Sequence, residues 1–184
     1  MKTNNNNNFW LIVGIILSTV AFRIVSNAFS LFNFTPIIAV ALFAGAKFKE
    51  TKWAIFVPII SLFISDAILA YINNFDVFHN TILFTYGSIL LIILLGKLLN
   101  DNKINVGKTI AVTLSSSLLF FILSNFGTWM FGTMFTHDMS GLIKCFIMAI
   151  LFNKYSWLGD LFFVFAMFGI YETISNKIAI TTKA

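Results

Sequence analysis

Six residues with chemical potential stand in or beside long apolar runs: Asn33, Asp66, His79, Asn125, Trp129 and Asp160. Asp66 lies inside the run Trp53–Ile72, Asn125 and Trp129 lie late in Thr109–Phe131, and Asp160 comes near the start of Trp157–Ile174. His79 precedes Thr81–Leu99, and Asn33 precedes Pro36. Asn125 and Trp129 are four apart and share one helix face. Carboxylates and carboxamides offer directional hydrogen bonds, an indole a stacking wall, and an imidazole a gate or ligand contact. Together they have the make-up of a small-molecule pocket. Each also has a plainer reading. A carboxylate at the bilayer centre costs about 2.5–3.5 kcal/mol on insertion scales, so Asp66 either serves a site or is relieved by pairing or by reaching outward. Trp129 is equally an interfacial anchor, Asp160 a helix cap behind Gly159, His79 a solvated loop residue, and Cys145 a packing residue. Arg23 either extends its head to the interface or pairs inward with Asp66.

Other chemistries find less support. There is no Walker loop for ATP hydrolysis and no HExxH. With two His and two Glu (Glu50, Glu172) in the chain, a zinc protease is hard to build. A serine activated by His79 or His137 has no G-x-S-x-G around it, and no regular run of intramembrane acids suggests a relay. The expectation is a binding protein rather than an enzyme, with no metal and no resident cofactor.

Composition sets the elements that must hold these residues. Of 184 residues, 59% are hydrophobic and 10% charged, against about a quarter charged in soluble domains. Mean hydropathy is +0.91. At ~20 residues per crossing, this length holds a single bundle and no separate soluble domain. The runs are Phe9–Val25, Pro36–Phe48, Trp53–Ile72, Thr81–Leu99, Thr109–Phe131 and Trp157–Ile174, six transmembrane helices in all. Pro36 suits a helix start, and Pro58 should kink the third helix. Gly141–Phe152 would cover only ~18 Å, short of a ~30 Å core. It reads as a re-entrant or interfacial helix, with a seventh span as the alternative. Residues 1–8 read as a disordered Asn-rich tail, 9–176 as one transmembrane domain, and 177–184 as a short cytoplasmic tail. The small-residue pairs Gly14/Ser18 and Ala41/Gly45 permit close helix docking.

The net charge of +5 comes from Lys residues scattered through short loops, so it reports orientation and not a nucleic-acid partner. With six spans, Lys2, Lys47, Lys49, Lys52, Lys97, Lys103, Lys108, Lys177 and Lys183 fall on one side, which the positive-inside rule makes the cytoplasm. Arg23, Lys144 and Lys154 are the exceptions. Both termini are then cytoplasmic, and Asp66, Asp76, Asp138 and Asp160 fall toward the outside. Ser26-Asn27-Ala28 has the spacing of a signal-peptidase site. Arg23 just before it and the membrane-embedded chain beyond it argue for retention.

Several local patterns carry a resemblance. Asn33-Phe34-Thr35-Pro36, continuing through Ala39-Val40-Ala41-Leu42-Phe43-Ala44-Gly45-Ala46, resembles the signature of a bacterial membrane family of unknown function related to the S components, the substrate-capturing subunits of energy-coupling factor (ECF) vitamin transporters. Ser65-Asp66, His79-Asn80 and Tyr86-Gly87 are similar to its middle portion. Ser124-Asn125-Phe126-Gly127 with Trp129, Gly141-Leu142 with Cys145, and Leu158-Gly159-Asp160-Leu161 are similar to its C-terminal half. Gly159-Asp160-Leu161 also resembles the start of the last helix in biotin-type S components. The resemblance implies a six-helix, S-component-like fold in a bacterial cytoplasmic membrane, with an outward pocket formed by outer loops and helix ends. It also implies docking to a transmembrane coupling subunit and its ATPases through the first helix. In place of the Ala-xxx-Ala common there, this chain has Gly14-xxx-Ser18. A corrinoid met by His79 or Cys145 is a further ligand it allows. The expected function is capture of a vitamin-like small molecule. A structural or assembly bundle is the first alternative, and an intramembrane enzyme using a serine with His79 is the second.

Overall fold

The computed structural model describes residues 5–31, 33–78, 80–101, 103–153 and 155–181. They form seven α-helices: α1 (Asn5–Ala28), α2 (Ile37–Lys47), α3 (Thr51–Asn73), α4 (Ile82–Gly96), α5 (Val106–Phe131), α6 (Met139–Phe152) and α7 (Ser156–Thr181). A 3-10 turn at Lys97–Leu99 extends α4, and no strand occurs among the described residues. Helix α1 begins inside the segment read as an Asn-rich tail, and α7 runs into the segment read as a C-terminal tail.

Five of these helices (α1, α3, α4 with its 3-10 turn, α5 and α7) are long and apolar enough to cross a membrane. Much of their surface is apolar and faces outward: Leu17, Leu83, Leu94 and Phe162 are all more than half exposed. Soluble proteins rarely show contiguous apolar patches of that extent, whereas a bilayer solvates them. The helices therefore suit a multi-pass membrane protein. The run Pro36–Phe48 differs from the others. Its helix, α2, has 11 residues and covers only ~16 Å, so length alone does not make it a crossing.

Helix α2 is nevertheless the axis of the fold. Every residue from Ile37 to Ala44 is buried, and α3, α4 and α7 pack around it. Its small residues explain why. A Cβ on Gly45 would run into the Ile93 carbonyl, and one on Gly96 would run into the Leu42 carbonyl. Two glycines thus bring the α2 and α4 backbones into contact, the small-residue packing that membrane bundles use. Ala41, fully buried, lies on the same helix.

Side-chain contacts give the helix directions. Arg23 meets Leu62, Ser65 and Asp66, and Asn27 meets Asn73, so α1 and α3 run parallel. Helix α2 must return between them. Helix α5 runs opposite to α7, because Ser117 meets Asp160 at one level and the Ile104 N–H meets Glu172 near the end. Lys47 and Lys108 both reach Asp101, which gathers the basic loops at one end of the bundle. Among the described residues, helix α6 packs only against α5, antiparallel to it, through Phe146 on Phe121 and Cys145 near Asn125. It descends along α5 from the far end.

Candidate functional site

The polar candidates separate into three groups. The first lies between α1, α3 and α4. Arg23 Nη2 is 2.8 Å from Asp66 Oδ1, and each side chain is 16% exposed. Arg23 Nη1 donates to Ser65 Oγ at 2.5 Å and to the Leu62 carbonyl at 3.3 Å. The Tyr86 hydroxyl donates to the second Asp66 oxygen at 3.0 Å. Asp66 therefore has a basic partner, and Arg23 pairs inward rather than reaching the interface. The physical reason is cost: two charges in apolar surroundings are tolerated when each satisfies the other and the remaining donors find oxygen. Ser65 fits this role because its hydroxyl donates to its own helix at Ser61 O, 2.8 Å, leaving lone pairs for the guanidinium.

The second group lies between α5 and α7. Asp160 is 2% exposed, and its Oδ2 is 2.6 Å from Ser117 Oγ. The Ser156 hydroxyl is a second partner. Helix α7 begins at Ser156, so Asp160 sits in its second turn and does not cap it. Gly159, just before it, lies against the Phe34 ring, which ties the α1–α2 connection to α7.

The third group lies between α5, α6 and their loop. Asn125 Nδ2 donates back to the Phe121 carbonyl at 2.7 Å, and the Asn125 carbonyl accepts from Cys145 Sγ at 3.5 Å. Trp129 Nε1 donates to the Thr136 carbonyl at 3.0 Å, with its ring beside Phe126 and His137. The indole thus fastens the α5–α6 loop. Asp138 caps α6, accepting from Gly141 N at 2.6 Å and Thr136 Oγ1 at 2.8 Å. These bonds hold its carboxyl below the ordinary carboxylate range.

Of the six predicted residues, the five that the structure describes are not gathered into one cluster. Asp66 and Asn125 have different neighbours, and Asp160 is enclosed by serines. Asn33 is exposed in the α1–α2 connection at φ 66°, a left-handed conformation that Asn tolerates. His79 lies outside the described residues. His137 Nε2 meets the Gly132 carbonyl at 3.1 Å, a backbone partner and not a serine. Of the docking candidates, Ala41 and Gly45 serve the interior of the bundle. Gly14 and Ser18 lie on the open face of α1, and a Cβ on Gly14 would meet nothing within 4 Å outside its own helix backbone. Residue-by-residue reading missed Tyr86, Ser65, Ser117 and Ser156. Only the local patterns Ser65-Asp66 and Tyr86-Gly87 touched on them.

Residues 3–182 match a family of unknown function, DUF6580. The chain belongs to that family. No curated protein and no solved structure matches it. The family description names no substrate, so a functional reading of this DUF6580 chain rests on its own geometry.

Proposed function

We propose that the protein is a membrane-embedded substrate-binding subunit, S-component-like, that captures a vitamin-like small molecule bearing an anionic group. One observation carries this reading: Arg23, Asp66 and Tyr86 form a charged, hydrogen-bonded group between three membrane helices, neither sealed nor open. A ligand carboxylate or phosphate can take the bidentate face of Arg23, while Asp66 and Tyr86 turn to the ligand's donors. An intramembrane ionisable group is by default a functional candidate.

In this reading the chain makes six crossings, α2 included, with α6 lying alongside. The return of α2 between the parallel helices α1 and α3 supports that count. The basic end is cytoplasmic, both termini are on that side, and the membrane is a bacterial cytoplasmic one. Energy comes from a coupling subunit and ATPases, and the chain itself is neither an enzyme nor a cofactor carrier. Of the corrinoid contacts, Cys145 is buried against α5, which disfavours it as a cobalt ligand.

Native mass spectrometry of the purified protein, with thermal shift against anionic vitamins, tests the reading. A retained small molecule, or a shift abolished by Arg23→Gln and by Asp66→Asn, supports capture. Flat responses in the wild type and both variants refute it. The structural alternative has its own observation: Asp66 and Asn125 face different neighbours, and each is satisfied by this chain. A bundle that only holds a partner complex needs no more than that. It predicts lost stability in the variants without any ligand response.

A further inference from the structure

Asp160 is the only buried acid among the described residues, and none of their cations pairs with it. Two helices pack on α7, α2 and α5. Helix α2 offers Lys47, whose Nζ binds the Asp101 carbonyl and lies over the Phe168 and Tyr171 rings. Phe168 is eight residues beyond Asp160, about 12 Å along the helix. Helix α5 offers Lys108, paired with Asp101. Helix α1 touches α7 through Phe22 and Phe163, and its Arg23 is held by Asp66. On α7 itself, Glu172 accepts from the Ile104 N–H, Tyr171 lies beside Phe43, and Lys177 is further along. Tyr155, just before α7, is 44% exposed.

Proton bookkeeping at Ser117 then decides the charge. Ser117 Oγ is 2.6 Å from Asp160 Oδ2 and 3.0 Å from the Thr113 carbonyl. A hydroxyl has one proton to give, and the carbonyl can only accept. If Asp160 were ionised, two acceptors would compete for that proton and one contact would stay unbridged. A neutral Asp160 supplies the missing proton: its Oδ2–H donates to Ser117 Oγ, and Ser117 donates to Thr113.

We infer that Asp160 is a proton-binding site inside the bundle, its proton bridging α7 to α5 through Ser117. The inference does not rest on the capture reading. Moving α7 away from α5 would expose the carboxyl to ionisation, so the site ties that helix contact to a proton.

Infrared spectroscopy of the whole protein in lipid nanodiscs at neutral pH reads the state directly. The wild type should show a protonated-carboxyl stretch that is absent from Asp160→Asn, whose amide is isosteric with the neutral acid. Ser117→Ala should keep the band and move it to higher frequency, as the acid loses its acceptor; this variant serves if Asp160→Asn does not fold. A wild-type spectrum without the band overturns the proposal, as does a band unchanged in Asp160→Asn or unmoved in Ser117→Ala. A sodium-dependent thermal stabilisation of the wild type that Asp160→Asn loses would assign the site to a metal cation and also overturn it.

Discussion

At the scale of single residues, the Arg23–Asp66 pair makes the sharpest statement. Removing one partner of a fully buried pair leaves an uncompensated charge, which costs about 3–5 kcal/mol, whereas replacing both by apolar residues is often neutral. Arg23 and Asp66 are each 16% exposed, so Asp66→Leu alone should destabilise the bundle by less than that full amount. Arg23→Met combined with Asp66→Leu should recover most of the loss, read as melting temperature in detergent. Recovery would identify an ion pair whose purpose is not stability, as a ligand group requires. If the double variant were no better than Asp66→Leu alone, the pair would be ordinary structural support. Asp138 gives a second residue-scale expectation. Its carboxyl is held below the ordinary range by Gly141 and Thr136, so it favours the folded cap in its charged form. That contribution is present above the ordinary carboxylate range and is lost as pH falls through the lowered value. Amide protection factors in the first turn of α6 should therefore fall on acidification in the wild type, while those of Asp138→Asn should not change with pH.

At the scale of elements, the α2–α4 contact depends on Gly45 and Gly96. Gly45→Val would place branched carbon against the Ile93 backbone, which cannot give way as a flexible side chain can. Overpacking of this kind costs about 1–3 kcal/mol or more. Gly14→Val on the open face of α1 should leave the melting temperature of the isolated protein unchanged. The contrast is measurable by size exclusion and thermal melts of the two variants. Hydropathy made the long helices legible, because a run of apolar residues is itself the physical requirement for crossing. The small residues of Ala39–Ala46 pointed to close packing but did not say against what. Arg23 and Asp66 are 43 positions apart, so only the parallel docking of α1 on α3 pairs them. Ser117 looked like any membrane serine until α7 placed an acid against it. The expected single cluster dissolved for a related reason: similar depth does not bring residues on different helix faces together.

At the scale of the whole molecule, the helix directions make a topology that labelling can test. Exposed positions divide into two ends: Lys49 and Lys103 at the end gathered around Asp101, and Phe78 and Met134 at the other. In a Cys145→Ala background, single cysteines at these sites should react with an impermeant maleimide in two classes. Lys49→Cys and Lys103→Cys should label only when the cytoplasmic face is accessible, and Phe78→Cys and Met134→Cys only from outside. The first class decides the fate of α2. An 11-residue helix falls well short of a ~30 Å core by itself, yet it is buried in protein from Ile37 to Ala44, where irregular backbone at membrane depth is tolerated. The connections at its two ends can therefore complete the crossing. If Lys49→Cys labelled from outside, α2 would not cross, and the parallel docking of α1 and α3 through Arg23 and Asp66 could not stand. A reporter fused after Ala184 decides the fate of α6 in the same way. Cytoplasmic activity fits α6 and α7 descending in the same direction along α5, whereas external activity would make α6 a seventh span and detach Glu172 from the Ile104 N–H at the basic end.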